Sequence, residues 1–205
     1  MEKKFYVFDL DGVLIDSKKN MSLSWKQVRE KIGVKQKFKD YFQEIGKPFN
    51  IILRNIGIKR NLHSKIEKEY SRASIKNFSK IKLYPKSRFI LQKLKKKGKI
   101  LGLLTSKDKN RVLKLLKKFK LKFDIVLCPI NKRLCKPNPH QLNLAVKKFN
   151  IKKTETVYIG DMPVDKLTAK KSSIDFVYCK YGYGNLVKQK YFINNISKIL
   201  RIKFN

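Results

Sequence analysis

Five of the 15 acidic residues of this 205-residue chain fall in two short windows: Asp9, Asp11 and Asp16 near the N-terminus, and Asp161 and Asp165 far downstream. In a chain with 51 Lys and Arg, that clustering is where chemistry is to be sought. Each window follows a short apolar run, Phe5 to Phe8 or Thr156 to Gly160, that reads as a buried strand. Asp9 and Asp11 flank one residue, so their side chains leave the strand end on the same side. Two anionic windows meeting in one crevice would repel unless a cation joined them. Oxygen donors without His or Cys select Mg2+, which keeps several waters and shares its remaining positions with a phosphate. Carboxylates are covalent nucleophiles toward phosphoryl groups, and a second acid can protonate the leaving oxygen and then activate water. One of the pair can therefore attack while the other handles protons. A bare D-x-D is more often a strand-ending turn, which Gly12 would also favour, so partners are required.

Two further windows supply them. In LLTSK, Thr105 stands at the end of an apolar run with its hydroxyl, and the amide that follows at Ser106, available to an oxygen ligand. A lone Thr there is more often a helix cap. Lys136, in the loop CKPNP, precedes a helix opened by Pro139, where an ammonium could neutralise charge on a transferring group. Each window is weak alone, and their conjunction carries the signal.

The elements that must position these groups alternate. Runs at Lys4 to Asp9, Ile100 to Thr105, Asp124 to Cys128, Thr156 to Gly160 and Asp175 to Cys179 read as parallel strands. Helical spacing lies between them at Ser87 to Lys97, Lys109 to Phe119, Pro139 to Phe149 and Pro163 to Ser173. The expected fold is α/β, a Rossmann-like open parallel sheet with helices on both faces and ligands at the carboxyl ends of the strands. Residues 16–84 interrupt the alternation with helical patterns at Met21 to Ile32, Phe49 to Ile56 and Leu62 to Phe78. A crossover needs only about a dozen residues. The division expected is a core of residues 1–15 and 85–205 and a helical subdomain of residues 16–84, with hinges at Asp16-Ser17, which also has the look of a helix N-cap, and at Leu83-Tyr84-Pro85. Phe192 to Leu200 spaces its apolar residues as one helical face.

The net charge of +36 would ordinarily point to nucleic acid or a membrane surface. Only eight of the 51 basic residues are Arg, however, and lysines are spread from Lys3 to Lys203 alongside abundant Ile and Asn, as a compositional bias would spread them. Cys128, Cys135 and Cys179 form no C-x-x-C set, so neither a zinc site nor a disulfide framework is signalled. No stretch approaches the ~20 apolar residues of a membrane span, and a cytoplasmic protein is expected. His63 and His140 read as surface or loop residues, and Trp25, Phe49 and Tyr70 as packing. Tyr181 and Tyr183, around Gly182, read as part of a loop at the rim.

The motifs FDLDGVLIDS, LLTS, KPNP and IGDMPVD, in that order, resemble the four signatures of the haloacid dehalogenase superfamily. EIGKPF, LYPKS and AKKSSIDFVYCKYGYGN are similar to its phosphoglycolate phosphatase-like branch, in which the helical insert is a type 1 cap. The resemblance implies that Asp9 is the nucleophile and a Mg2+ ligand, and that Asp11 is the general acid/base and ligates through its carbonyl. It implies that Thr105, with Ser106 and Gly12, binds phosphate, that Lys136 neutralises charge, and that Asp161 and Asp165 are metal ligands, Asp165 directly or through water. The implied activity is Mg2+-dependent hydrolysis of a small phosphorylated metabolite through a phosphoaspartate. A sugar phosphomutase of the same superfamily shares every core residue. A basic nucleic-acid-binding protein or a nucleotide phosphatase is the alternative that the charge suggests. Asp11 disfavours the dehalogenase branch, which lacks an acid there. His140, where the family carries an acid, and Met162, where it carries a small residue, depart from the pattern.

Overall fold

The computed structural model describes residues 2–131 and 133–205. In chain order the elements are β1 (Phe5–Phe8), β2 (Ile15–Asp16), α1 (Lys18–Ile32), α2 (Phe38–Gln43), α3 (Phe49–Asn55), α4 (His63–Lys76), β3 (Lys82–Leu83) and α5 (Ser87–Lys96). They continue with β4 (Ile100–Leu104), α6 (Lys109–Phe119), β5 (Ile125–Leu127), α7 (His140–Lys148), β6 (Thr156–Gly160), α8 (Pro163–Ser172), β7 (Asp175–Cys179) and β8 (Tyr191–Ile193). Residues 1–15 and 83–205 pack as one unit and residues 16–82 as another, so Leu83 and Tyr84 group with the first.

The first unit carries a six-stranded sheet in the order β5-β4-β1-β6-β7-β8, with every pairing parallel. The chain builds outward from β1 through β4 to β5, then crosses to the other side of β1 to lay down β6, β7 and β8. The strand order therefore reverses at β1, and the crevice of an open α/β sheet forms beyond the carboxyl ends at such a reversal. β1 and β6 are buried along their whole length, as strands covered on both faces must be. One face of the sheet packs Phe5, Val7, Leu104 and Tyr158 against Leu142, Ala145 and Val146 of α7 and Ala169 of α8.

The second unit is helical. Trp25 of α1 is fully buried and stacks on Tyr41 of α2, with ring centroids 4.7 Å apart. The Tyr41 hydroxyl donates to that of Tyr70 at 2.9 Å, and Phe49 lies 5.0 Å from the Tyr70 ring. All three residues expected to serve packing, Trp25, Phe49 and Tyr70, do so here. Asn20 ties α1 to α4 by donating to the Ser74 carbonyl at 2.9 Å.

One local expectation is corrected, and two local details are added. Phe192 to Leu200 is not one helix. Tyr191–Ile193 forms a sixth strand and a 3-10 turn follows over Ile196–Arg201. Tyr191 and Ile193 point inward and Phe192 is exposed, a strand's alternation. The helix cap expected at Asp16-Ser17 falls there: Ser17 holds the cap position of α1, and the Asp16 side chain accepts from Lys18 N at 3.0 Å. Helix α2 has no counterpart among the expected patterns. It is short, and its Phe38, Tyr41 and Phe42 are recruited into the aromatic cluster around Trp25.

Candidate active site

Register brings the two acidic windows together. Phe8 pairs with Leu103 on one side and Ile159 on the other, so Asp9 is level with Leu104 and Gly160, and Thr105 and Asp161 follow one residue further on at the same end of the sheet. The Asp9 amide donates to the Ile159 carbonyl at 2.8 Å and fixes the exit of β1 against β6. Oxygens of Asp9, Asp161 and Asp165 lie within 4.8 Å of one another, and all three residues are buried.

Lys136 reaches this cluster from the loop between β5 and α7. The loop is held by local bonds, with Asn138 N donating to the Cys135 carbonyl at 2.8 Å and His140 N donating to the Asn138 side chain at 2.9 Å. Buried at 4% exposure, the Lys136 ammonium donates to Asp9 Oδ1 at 2.9 Å, Asp165 Oδ1 at 2.7 Å and the Tyr158 hydroxyl at 3.2 Å. Those three bonds use all three of its protons. Burial works to lower its pKa, but the Asp165 and Asp9 carboxylates outweigh it and hold the ammonium above its ordinary range.

Asp165 occupies the third position of α8, where a carboxylate can reach back to free amides. Its Oδ2 accepts from Met162 N at 3.0 Å and Asp161 N at 3.2 Å, and its Oδ1 takes Lys136 and the Tyr158 hydroxyl, the latter at 2.9 Å. Asp161 is treated differently. Its Oδ2 accepts from Tyr183 N at 2.6 Å, while its Oδ1 is buried with no hydrogen-bond donor. A buried, unsatisfied carboxylate oxygen beside a second carboxylate is the place a hard cation would fill. The electrostatics agree: burial, with Asp165 and Asp9 adding to it, raises the Asp161 carboxyl well above its ordinary range. Asp9 is pushed up to about 7 by burial, with Lys136 opposing and Asp165 and Asp11 assisting.

Two glycines are explained by Asp161. Gly12 has φ +85°, and a Cβ there would lie 2.1 Å from Asp161 Oδ2; at Gly182 one would lie 2.3 Å from Asp161 Cβ. The Gly12 amide donates to the Ile15 carbonyl at 2.9 Å, so the phosphate contact expected of Gly12 is not offered by that amide, and its contribution is room. Thr105 is buried, and its Oγ1 accepts from Lys107 N at 3.2 Å. Ser106 follows it, half-buried, in the loop that Asp108 closes by capping α6 through Arg111 N at 2.9 Å. Asp11 lies outside the three-carboxylate cluster, and its Oδ2 meets Lys107 Nζ at 3.2 Å. His63 Nε2 lies 3.0 Å from the Ile58 carbonyl, and His140 opens α7.

The sequence reading missed Tyr158, Lys107 and the Tyr183 amide. Tyr158 has the look of one more aromatic in a buried strand and Lys107 of one more lysine. No sequence signal short of their neighbours' motifs distinguishes them. The tyrosines flanking Gly182 were in view as a rim loop. That loop also grips Asp161 through Tyr183 N, and the Tyr181 hydroxyl anchors it by donating to the Val13 carbonyl at 2.9 Å.

The buried acids stand at the strand-order reversal of a doubly wound parallel sheet, the place where open α/β folds bind their ligands. The family model of haloacid dehalogenase-like hydrolases matches residues 6–179, and the chain belongs to that family. PpaX of Caldanaerobacter subterraneus, which bears a pyrophosphatase name, is 27% identical over 205 aligned residues, spanning 96% of this chain and 92% of that protein. The phosphoglycolate phosphatase of Aquifex aeolicus is 25% identical, spanning 89% and 87%. The crystal structure of a predicted phosphoglycolate phosphatase from Haemophilus somnus superposes with a TM-score of 0.88 over 98% of each chain at 21% identity, a likeness of fold. Among the described residues no helix is long and apolar enough to cross a membrane.

Proposed function

We propose that the chain is a Mg2+-dependent phosphatase that hydrolyses a small phosphate monoester through an aspartyl phosphate on Asp9. The observation that carries this reading is the Asp9 carboxylate itself: buried, at the exit of the central strand, bonded to Lys136 through Oδ1 and within 4.8 Å of the Asp161 carboxylate. The names of PpaX and of the Aquifex protein agree in reaction type.

In the first half-reaction an Asp9 oxygen attacks phosphorus. The ester oxygen departs with its bonding pair and takes a proton from the Asp11 carboxyl. In the second, the Asp11 carboxylate takes a proton from water, whose oxygen attacks the phosphorus of the aspartyl phosphate. Phosphate leaves and the Asp9 carboxylate is restored. Thr105 and the Ser106 amide hold the phosphoryl oxygens, and Lys136 stays charged beside Asp9 to offset the negative charge brought by the substrate. Mg2+, held by Asp9, Asp161 and the Asp11 carbonyl, would supply Lewis-acid stabilisation of the phosphoryl oxygens. All four acceptor positions of Asp165 are engaged, so it serves the ion by fixing Lys136 and the Asp161 loop. The segment 16–84 acts as the cap that excludes water and contributes to selectivity.

The test is hydrolysis of p-nitrophenyl phosphate by purified protein with and without MgCl2. We expect Mg2+-dependent turnover that falls about a thousandfold or more in Asp9→Asn, since the attacking group is removed. An inert wild type, or an Asp9→Asn variant working at full rate, overturns the reading.

A further inference from the structure

We propose that Lys107 selects the leaving group, favouring phosphate esters that carry a second negative charge close to the ester oxygen. The inference rests on the reading of Asp11 as the acid that protonates that oxygen.

The two lysines of the site are not equivalent. Lys136 spends its three protons on Asp9, Asp165 and Tyr158, on the side of the nucleophile. Lys107 stands on the side of Asp11, its Nζ 3.2 Å from Asp11 Oδ2, and among the described residues this is its one ion pair. An ammonium has three protons to give, so Lys107 keeps donor capacity that Lys136 has exhausted. Nor is it an ordinary surface lysine. Its side chain is only 12% exposed, its amide is bonded to Thr105 Oγ1, and the next residue, Asp108, caps α6.

Geometry follows from chemistry. Asp11 can protonate the leaving oxygen only from hydrogen-bond distance, and Lys107 touches the same carboxyl, so its ammonium lies within about two contacts of that oxygen, on the order of 6 Å or less. A carboxylate or phosphate attached within a few bonds of the ester oxygen falls into that interval. Glycolate and phosphate, the groups released from phosphoglycolate and pyrophosphate, are both anions of this kind, and two relatives bear the names of enzymes for those compounds. A charge-assisted bond in a largely buried place would favour such substrates about tenfold or more.

The test compares kcat/KM for 2-phosphoglycolate and for ethyl phosphate, which has a similar chain and no second charge, in wild type, Lys107→Met and Lys107→Arg. The wild type is expected to prefer 2-phosphoglycolate. Lys107→Met should reduce that preference by about tenfold or more, chiefly through KM, and Lys107→Arg should restore part of it. Equal losses on both substrates would assign Lys107 to positioning Asp11 and overturn the proposal, as would an unchanged preference. No hydrolysis of either ester by wild type would overturn the phosphatase reading itself, and this inference with it.

Discussion

Lys136 Nζ and Asp165 Oδ1 meet 2.7 Å apart with both side chains almost wholly buried. Asp165 is also anchored by two amides at the start of α8, so the pair transmits the position of that helix to the ammonium beside Asp9. Removing one partner of a buried pair leaves the other uncompensated. Lys136→Met should lower unfolding stability by about 3 kcal/mol at pH 8, because two buried carboxylates lose their common cation. Denaturant midpoints with and without 10-fold changes in ionic strength check this, and a midpoint like that of wild type would refute it.

Tyr158→Phe deletes one hydroxyl from the floor of the site while keeping the ring that packs 6.3 Å from Phe176. Both Asp165 Oδ1 and Lys136 lose a partner. The expected cost is about 1–2 kcal/mol of stability, accompanied by slower turnover, read from thermal melts and p-nitrophenyl phosphate assays on the same preparation.

Gly182→Ala introduces a methyl 2.3 Å from Asp161 Cβ, so either the loop or the carboxylate must move. The sheet below is untouched. Helical and sheet content should be kept while the Mg2+ concentration needed for half-maximal stabilisation rises about tenfold or more, as expected when a ligand loses its position. Wild-type Mg2+ affinity in this variant would show that Asp161 does not need the loop.

With Asp9 as a Mg2+ ligand, as proposed, protons and the cation compete for it. Its carboxyl is raised from an ordinary 3.8 to about 7, chiefly by burial. The folded chain thus binds that proton more tightly than the unfolded one, and the group costs the metal-free fold stability as pH rises from about 4 to about 7. A divalent ion relieves the cost only where the proton has gone. The rise in Tm produced by Mg2+ should therefore be small at pH 5.5 and larger at pH 8. Thermal melts of chelator-treated protein across that range decide it, and a gain independent of pH would count against Asp9 as a ligand.

Much of this was readable in the chain because rarity marked it. Acids are scarce among the lysines, so Asp9, Asp11, Asp161 and Asp165 stood out, and five runs of β-branched and aromatic residues gave five of the six parallel strands. The sixth escaped because Phe192 to Leu200 satisfies a helical period as well as Tyr191–Ile193 satisfies a strand's, and so short a run does not separate them. Tyr158 and Lys107 escaped for the opposite reason: their types are common here, and only the sheet register and the loop after β4 set them beside the acids. Gly12 was legible as a turn, but the closeness of Asp161 that demands it joins distant segments and leaves no local trace.

Because β1 lies at the middle of the sheet, with strands from much later in the chain on either side, the site is completed last. Asp9 leaves the ribosome early, yet its lysine follows 127 positions behind, and Asp161 later still. A nascent chain halted before β6 has Asp9 without the Asp161 carboxylate that lies within 4.8 Å of it in the fold. Such a fragment should be catalytically silent, so competence appears only once β6, Asp161 and the loop that holds it have emerged.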